Sequence, residues 1–265
     1  MIGIVIAIRE ELTGFLSNHE FANHKQEEGN QPVYTSHIMN EVVVIESGMG
    51  KANAINATNK LIELYQPNLI ISTGFAGAVR QDIESGTSYI CNDLWSIPGS
   101  PAFWSIESAE KMHAIDENRA IKLNTIINES GSQIQLGSCM TVEQFVYNSD
   151  LKTWVGENFA VDVIDMESFW VSQQAKANNI GSIVIRVVLD PMEQKLPPFI
   201  VEAATNKASR TMLNGLKHIA IHPGDIKKIF EISLQVRKSK RILASNLECV
   251  IKSEKPLGSL PSKVG

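Results

Sequence analysis

"VDVIDMESFWVSQQAKANNIGSIVIRVVLD" spans residues 161–190 and holds a strand, a helix and a second strand in one run. "AVDVIDM" (160–166) is short and apolar enough for a core strand, and 167–179 keeps a helical period. "SIVIRVVLD" (182–190) is an almost unbroken run of branched aliphatic residues. Such a run reads as a strand buried on both faces, the kind found in parallel sheets covered by helices. The acids at the joint are the anomaly. Asp165 and Glu167 flank Met166 where strand should turn into helix, and Ser168 offers a cap for that helix. A buried carboxylate is costly unless something pairs with it. Glu167 therefore either caps local backbone or waits for a hydroxyl-bearing ligand.

The same alternation extends through the chain. "IGIVIAI" (2–8), "VVVIES" (42–47), "NLIIST" (68–73), "SYICNDLWSI" (88–97) and "IQLGSCMTV" (134–142) read as further strands, and 51–65, 117–129 and 199–221 as further helices. Strand–helix alternation predicts an α/β sandwich around one central, mostly parallel sheet. No internal repeat or low-complexity stretch interrupts it. The chain has 265 residues, 43% hydrophobic and 20% charged, with a formal charge of −5. That is an ordinary soluble balance, and it gives no support to a nucleic-acid partner. No apolar stretch approaches the length of a membrane span. The opening "MIGIVIAIREEL" lacks the basic leader and small-residue cleavage site of a signal peptide and reads as a first strand. Cys91, Cys139 and Cys249 are widely spaced and fit neither a disulfide framework nor a zinc pattern, so a reducing cytoplasm is expected.

The C-terminal part differs in character. Asp225 is placed as the N-cap of a last helix on which Ile226, Ile229, Phe230 and Leu234 form an apolar stripe. Arg237, Lys238, Lys240 and Arg241 follow. This is either a packed helix with a solvated basic end or a surface for a partner or anionic lipid. The final "SEKPLGSLPSKVG" is expected to fray.

Glycines and acids carry the chemistry. "SGMGK" (47–51) follows a strand and opens a helix, where Gly48 and Gly50 let backbone approach an oxygen-rich ligand. A tight strand-to-helix turn is the plainer alternative. "TGFAGAV" (73–79) repeats the idea with Gly74 and Gly77, so two glycine turns at neighbouring strand ends predict a cleft at the sheet edge. Neither GxxxxGK[ST] nor GxGxxG occurs, which disfavours nucleoside triphosphates and dinucleotides. Glu10 and Glu11 follow the first strand, Glu167 the short one, and Asp190 ends the last. Each alone reads as a helix-start acid or a turn residue. Together with the glycines they predict a ligand site.

The collinear order of "IGIVIAIREEL", "VVVIESGMGKANAINATNKLIE", "NLIISTGFAGAV", "TVEQFV" and "VDVIDMESFWVSQQAKANNIGSIVIRVVLD" resembles the nucleoside phosphorylase/nucleosidase superfamily. It is most like the methylthioadenosine/S-adenosylhomocysteine nucleosidases. The resemblance implies a three-layer αβα sandwich with a mixed, mostly parallel sheet over residues 1–221, followed by a C-terminal helical extension and tail at 222–265. It implies that Met166 and Glu167 grip the ribose, with Glu167 accepting from its hydroxyls. It also makes Asp190 the acid that protonates the purine and Glu11 the base that activates water. Phe145 would stack on the base, Val146 would lend backbone to its edge, and Met49 and Gly77 would complete the pocket. No metal or organic cofactor is implied, and a homodimer is.

The expected activity is hydrolytic cleavage of the N-glycosidic bond of a 5′-substituted adenosine. Breaking that bond builds positive charge on the sugar and negative charge on the base. A carboxylate steadies the first and a proton donor quenches the second. Phosphorolysis needs cations for a dianion, and Arg9, Lys51, Arg80 and Arg186 are the candidates. Phe75 and Leu189 depart from the family pattern, which usually carries small residues there. "RVVLDPMEQKLPP" and the basic last helix are similar to phosphorylase-like members associated with hopanoid biosynthesis. A phosphorylase, including one acting on a lipid-linked adenosine, is the first alternative. A nucleoside-binding protein with impaired catalysis is the second.

Overall fold

The computed structural model describes residues 1–24, 31–193 and 226–254. The helix expected at 199–221, the proposed cap Asp225 and the C-terminal tail lie outside the described residues. The strands are β1 (Ile2–Ile6), β2 (Ala22–His24), β3 (Val33–Thr35), β4 (Val42–Glu46), β5 (Leu69–Ala78), β6 (Ser88–Ile97), β7 (Glu110–His113), β8 (Gln135–Val142), β9 (Val163–Asp165) and β10 (Gly181–Asp190). The helices are α1 (Thr13–Asn18), α2 (Lys51–Tyr65), α3 (Glu117–Glu129), α4 (Ser149–Asn158), α5 (Ser168–Ala177) and α6 (Ile226–Glu254). A 3-10 turn, Arg9–Leu12, links β1 to α1.

Alternation along each strand sorts its side chains between two helical layers. On β1, Ile4 and Ile6 join a core that includes Leu123 of α3 and Leu243 and Leu247 of α6. Val5 faces the other way, toward Ala54 and Leu61 of α2 and Phe169 and Val171 of α5. Strand β10 does the same with Ile183, Ile185 and Val187 on one side and Val184 and Val188 on the other. The result is the expected sandwich around a mixed sheet, with parallel pairings β4–β1–β5–β10 and β6–β8–β9. The sheet also closes on itself. β10 pairs antiparallel with β6, and β5 pairs antiparallel with β9, so β5, β10, β6, β8 and β9 form a ring.

Three expectations need correction. "TGFAGAV" is not a turn, because residues 73–78 continue β5 and pair with β10 and β9 along its two edges. Ladder partners on both sides outweigh the weak strand preference of glycine and alanine. Ser168 is not the cap of α5 either, because it lies inside the helix while Asp165 Oδ2 accepts from the Ser168 amide at 3.0 Å. The stripe on α6 is also misplaced. Phe230 and Leu234 are 60% and 46% exposed, and the side chains of Ile226 and Ile229 lie outside the described residues. The buried face is Ser239, Leu243, Asn246, Leu247, Val250 and Ile251, a helical spacing that begins beyond the end of the expected stripe at Leu234.

Each of its four apolar members contributes roughly 1.5–3 kcal/mol on burial, so α6 is part of the core. The polar members reach back to the sheet: Asn246 Nδ2 donates to Ser88 Oγ at 2.9 Å and Ser239 Oγ to the Val188 carbonyl at 3.4 Å. Among the described residues no helix is long and apolar enough to cross a membrane. Cys91 and Cys139 are buried as free thiols, and Cys249 is half-buried.

Candidate active site

A cavity of about 320 Å³ opens where β1, β5, β8, β9 and β10 end. Loop backbone and strand-terminal side chains converge there, the usual ligand position in an α/β sheet. Glu11, Met49, Gly77, Phe145, Val146, Met166, Glu167 and Asp190 all line it, whereas Glu10, Gly48, Gly50 and Gly74 do not. Phe75 and Leu189 line it too, as do Ile232, Gln235 and Val236 from the first turns of α6.

Glu11 reaches the cavity from the 3-10 turn. Its Oε2 accepts from the Ala7 and Ile8 amides at 3.1 and 3.2 Å, and its Oε1 from the Phe75 amide at 2.9 Å. Burial raises this carboxyl above its ordinary value, against the lowering pull of those amides and of Arg186. Gly74 makes room for it: a Cβ there would lie 2.6 Å from Glu11 Oε1. The glycine serves the acid and does not cradle a ligand with its own backbone.

Glu167 sits at the N-cap position of α5 but makes no side-chain cap bond. Asp165 has taken over that task, which frees Glu167 to accept from the Gly50 amide at 2.7 Å. Gly50 has φ +89°, a conformation that L side chains rarely adopt, so the loop that presents this amide depends on glycine. Burial, then the neighbouring charge of Asp165, push Glu167 up to about 8. Near neutral pH Glu167 is therefore mostly the neutral acid.

The sign of the linked stability follows. The folded state keeps a proton that the unfolded chain gives up at the ordinary 4.5, so this contribution is complete below pH 4.5 and is lost as pH rises to about 8. Between pH 6 and 8.5 the melting temperature of the free protein should fall, and Glu167→Gln should flatten that fall by several degrees in a calorimetric series. An equally steep fall in the variant would place the buried proton elsewhere.

Asp165 also lines the cavity, and its buried charge partner stands behind it. Arg186, in the middle of β10, donates from Nε to Asp165 Oδ2 at 2.8 Å and from Nη2 to Ser72 Oγ at 2.8 Å. Asp165 also accepts from Thr141 Oγ1 at 2.6 Å and from the Ser168 hydroxyl. Burial alone would raise Asp165, but the Arg186 charge and the two hydroxyls outweigh it and hold the group below its ordinary value. Asp190 is treated differently. Its Oδ2 receives Lys152 Nζ at 2.5 Å, while its buried Oδ1 has no hydrogen-bond partner among the described residues.

The family model described as the phosphorylase superfamily matches residues 1–219. The chain belongs to the phosphorylase superfamily. The 5′-methylthioadenosine/S-adenosylhomocysteine nucleosidase of Staphylococcus haemolyticus is 27% identical over 179 residues, 64% of this chain and 78% of that one. The futalosine hydrolase of Helicobacter pylori superposes with a TM-score of 0.71 at 18% identity, covering 95% of this chain and 97% of its own. The H. pylori 5′-methylthioadenosine/S-adenosylhomocysteine nucleosidase gives 0.70 at 19% identity, covering 95% and 97%. At such identities the two structures speak to the fold alone.

Within this phosphorylase-superfamily site, three of the four candidate phosphate cations are engaged elsewhere, and the fourth, Arg9, is exposed on the 3-10 turn and does not line the cavity. Arg186 is bound to Asp165, Arg80 pairs with Asp82 and Asp162 at the surface, and Lys51 pairs with Glu143 at 3.1 Å. No Lys, Arg or His among the described residues lines the cavity. Sequence reasoning missed Lys152, the Arg186–Asp165 pair and the α6 contribution. Only the second had a visible signal: an arginine inside "SIVIRVVLD" needs a buried acid, and Asp165 stands in the neighbouring short strand.

Proposed function

We propose that the protein hydrolyses the N-glycosidic bond of an adenine nucleoside carrying a 5′ substituent. The observation that carries this reading is one small cavity lined by four acids of different character, Glu11, Asp165, Glu167 and Asp190, and by no described cation. Glu167 would bind the ribose hydroxyls, which can accept the proton it holds or donate once it is lost. Asp190 Oδ1, unpartnered, would meet a ring nitrogen of the base. Glu11, fixed by amides that leave it no freedom to swing, would take a proton from water.

In the reaction the C1′–N9 bond breaks with its electron pair going to the base. The proton on Asp190 quenches that charge, and the carboxylates near the sugar steady the cation left behind. Water adds to C1′ as Glu11 removes its proton. Phe145 supplies an aromatic face for the base. Ile8, Met49, Phe75, Leu189, Ile232 and Val236 make the remaining wall largely apolar, which favours an apolar 5′ substituent over a hydrated one. The names of the nucleosidase relatives support adenine as the leaving base.

The lack of a described lining cation favours water over phosphate, because a dianion entering this largely apolar cavity would lose its hydration with no charge to compensate. The test is to incubate the protein with methylthioadenosine, adenosylhomocysteine, adenosine and inosine, with and without phosphate, and to measure free base by chromatography. Adenine release from the 5′-thio substrates, indifferent to phosphate, is expected. Release only with phosphate would make the protein a phosphorylase, and tight adenine binding without turnover would make it a binding protein. The homodimer belongs to the same reading. Phe103, 83% exposed, and Ile106 form an outward apolar loop that a second copy would cover, and light scattering after gel filtration would find twice the chain mass.

A further inference from the structure

Lys152 is 1% exposed and stands on α4, a few residues beyond Phe145 and Val146 of the cavity wall. It does not line the cavity. Its ammonium lies behind Asp190, holding Oδ2 at 2.5 Å. The other carboxyl oxygen, Oδ1, is buried and unpartnered among the described residues. The chain shows what a purely structural buried acid looks like a short distance away. Asp165 has Arg186, Thr141, Ser168 and the Ser168 amide on its two oxygens. A buried oxygen left open is costly, which a structural pair would avoid and a reacting one must accept.

We propose that Lys152 is the positioning residue of the acid: it fixes Asp190 through Oδ2 and stabilises the carboxylate that remains once Oδ1 has given its proton to the leaving base. The inference rests on the hydrolytic reading above. In the step, the Oδ1 proton passes to a ring nitrogen as the C1′–N9 electron pair moves to the base. Asp190 becomes an anion facing the ammonium, and Lys152 keeps its own protons throughout. Solvent reprotonates Asp190 after the base departs.

The electrostatics agree. Burial raises Asp190 and Lys152 lowers it, with burial prevailing. The acid thus gives up its proton less readily than a free aspartate and more readily than burial alone would allow. The other acids of the cavity lining, Glu11, Asp165 and Glu167, are not among the causes that shift Asp190, and its strand partner Gly77 and its chain neighbour Leu189 carry no charge. Gln235 on α6 is neutral, and Glu193 is turned toward Gln81 at the surface. Gly77 leaves space for the pair, since a Cβ there would lie 3.5 Å from Lys152 Nζ and 3.6 Å from Asp190 Oδ2.

The test replaces Lys152 with Met, which keeps length and removes charge, and with Arg, which keeps charge. The Asp190 carboxyl is followed in the free protein by carbon-13 NMR, assigned with Asp190→Asn. Its titration should move to higher pH by more than one unit in Lys152→Met and stay near wild type in Lys152→Arg. The alkaline limb of kcat should move with it, with kcat down roughly 10- to 100-fold and KM little changed. An unshifted titration overturns the proposal, as does a loss of kcat equal at every pH. If Lys152→Met does not fold, Lys152→Gln is read the same way. Failure of both to fold, with Lys152→Arg folded but inactive at every pH, gives Lys152 a structural role alone and also overturns it. The NMR titration needs no turnover, so absence of base release would sink the hydrolytic reading while leaving the effect of Lys152 on Asp190 measurable.

Discussion

Asp190→Asn should lower release of free base by about a thousandfold, within the roughly 10²- to 10⁴-fold range of a lost general acid. The amide retains the shape of the carboxyl and can still hydrogen bond to a purine edge, but it has no proton to give at useful pH. The loss should therefore fall on kcat and leave KM within a few fold. A second effect accompanies it. Lys152 Nζ, now facing an uncharged group, becomes a buried ammonium without its counter-charge. The variant should melt at lower temperature than wild type, and Lys152→Met combined with Asp190→Asn should recover part of that difference. Activity measured below the melting range separates the two consequences. A variant retaining a tenth of wild-type turnover would remove Asp190 from the role of acid.

Arg186→Met should cost the fold about 3–5 kcal/mol, the usual penalty for leaving one partner of a buried pair uncompensated. Its guanidinium is the counter-charge for Asp165, and its Nη1 and Nη2 satisfy the Ile185 carbonyl and the Ser72 hydroxyl. For a chain of this size the loss corresponds to a fall of about 10 °C in melting temperature. The same charge lowers the carboxyls of Glu11 and Glu167, so its removal should drive both further toward the neutral acid and depress activity where the protein still folds. Asp165→Asn combined with Arg186→Met removes both members and should regain much of the lost stability. If the single and double variants melt together, the pair contributes no coupling and the floor of the site is held by packing alone.

The run 161–190 made most of the fold legible. Continuous Ile and Val residues mark β10, and the helical period after Met166 marks α5. Neither signal depends on distant contacts. Glu11, Glu167 and Asp190 were legible for a related reason: acids at the ends of buried strands are costly without a task. What stayed hidden depends on tertiary placement. Lys152 lies in "SDLKTWVGEN", a short helix whose sequence reads as solvated, and its burial arises only because α4 packs over the end of the sheet. The continuation of β5 through Gly74 and Gly77 is dictated by partners on both edges, and closure of the sheet into a ring has no local signature. On α6 the apolar residues nearest the helix start drew the eye to Phe230 and Leu234. The deeper face includes Ser239 and Asn246, whose polarity masks the period.

A structure with a bound C-nucleoside analogue of 5′-methylthioadenosine, whose sugar–base bond is carbon–carbon and cannot be hydrolysed, tests the central claim most directly. The ribose hydroxyls should lie within hydrogen-bond distance of Glu167, the purine edge on Asp190 Oδ1, the base against Phe145, and an ordered water between Glu11 and the anomeric carbon. A ligand seated outside this cavity, or one whose base turns away from Asp190 while the sugar leaves Glu167 unbound, would contradict it.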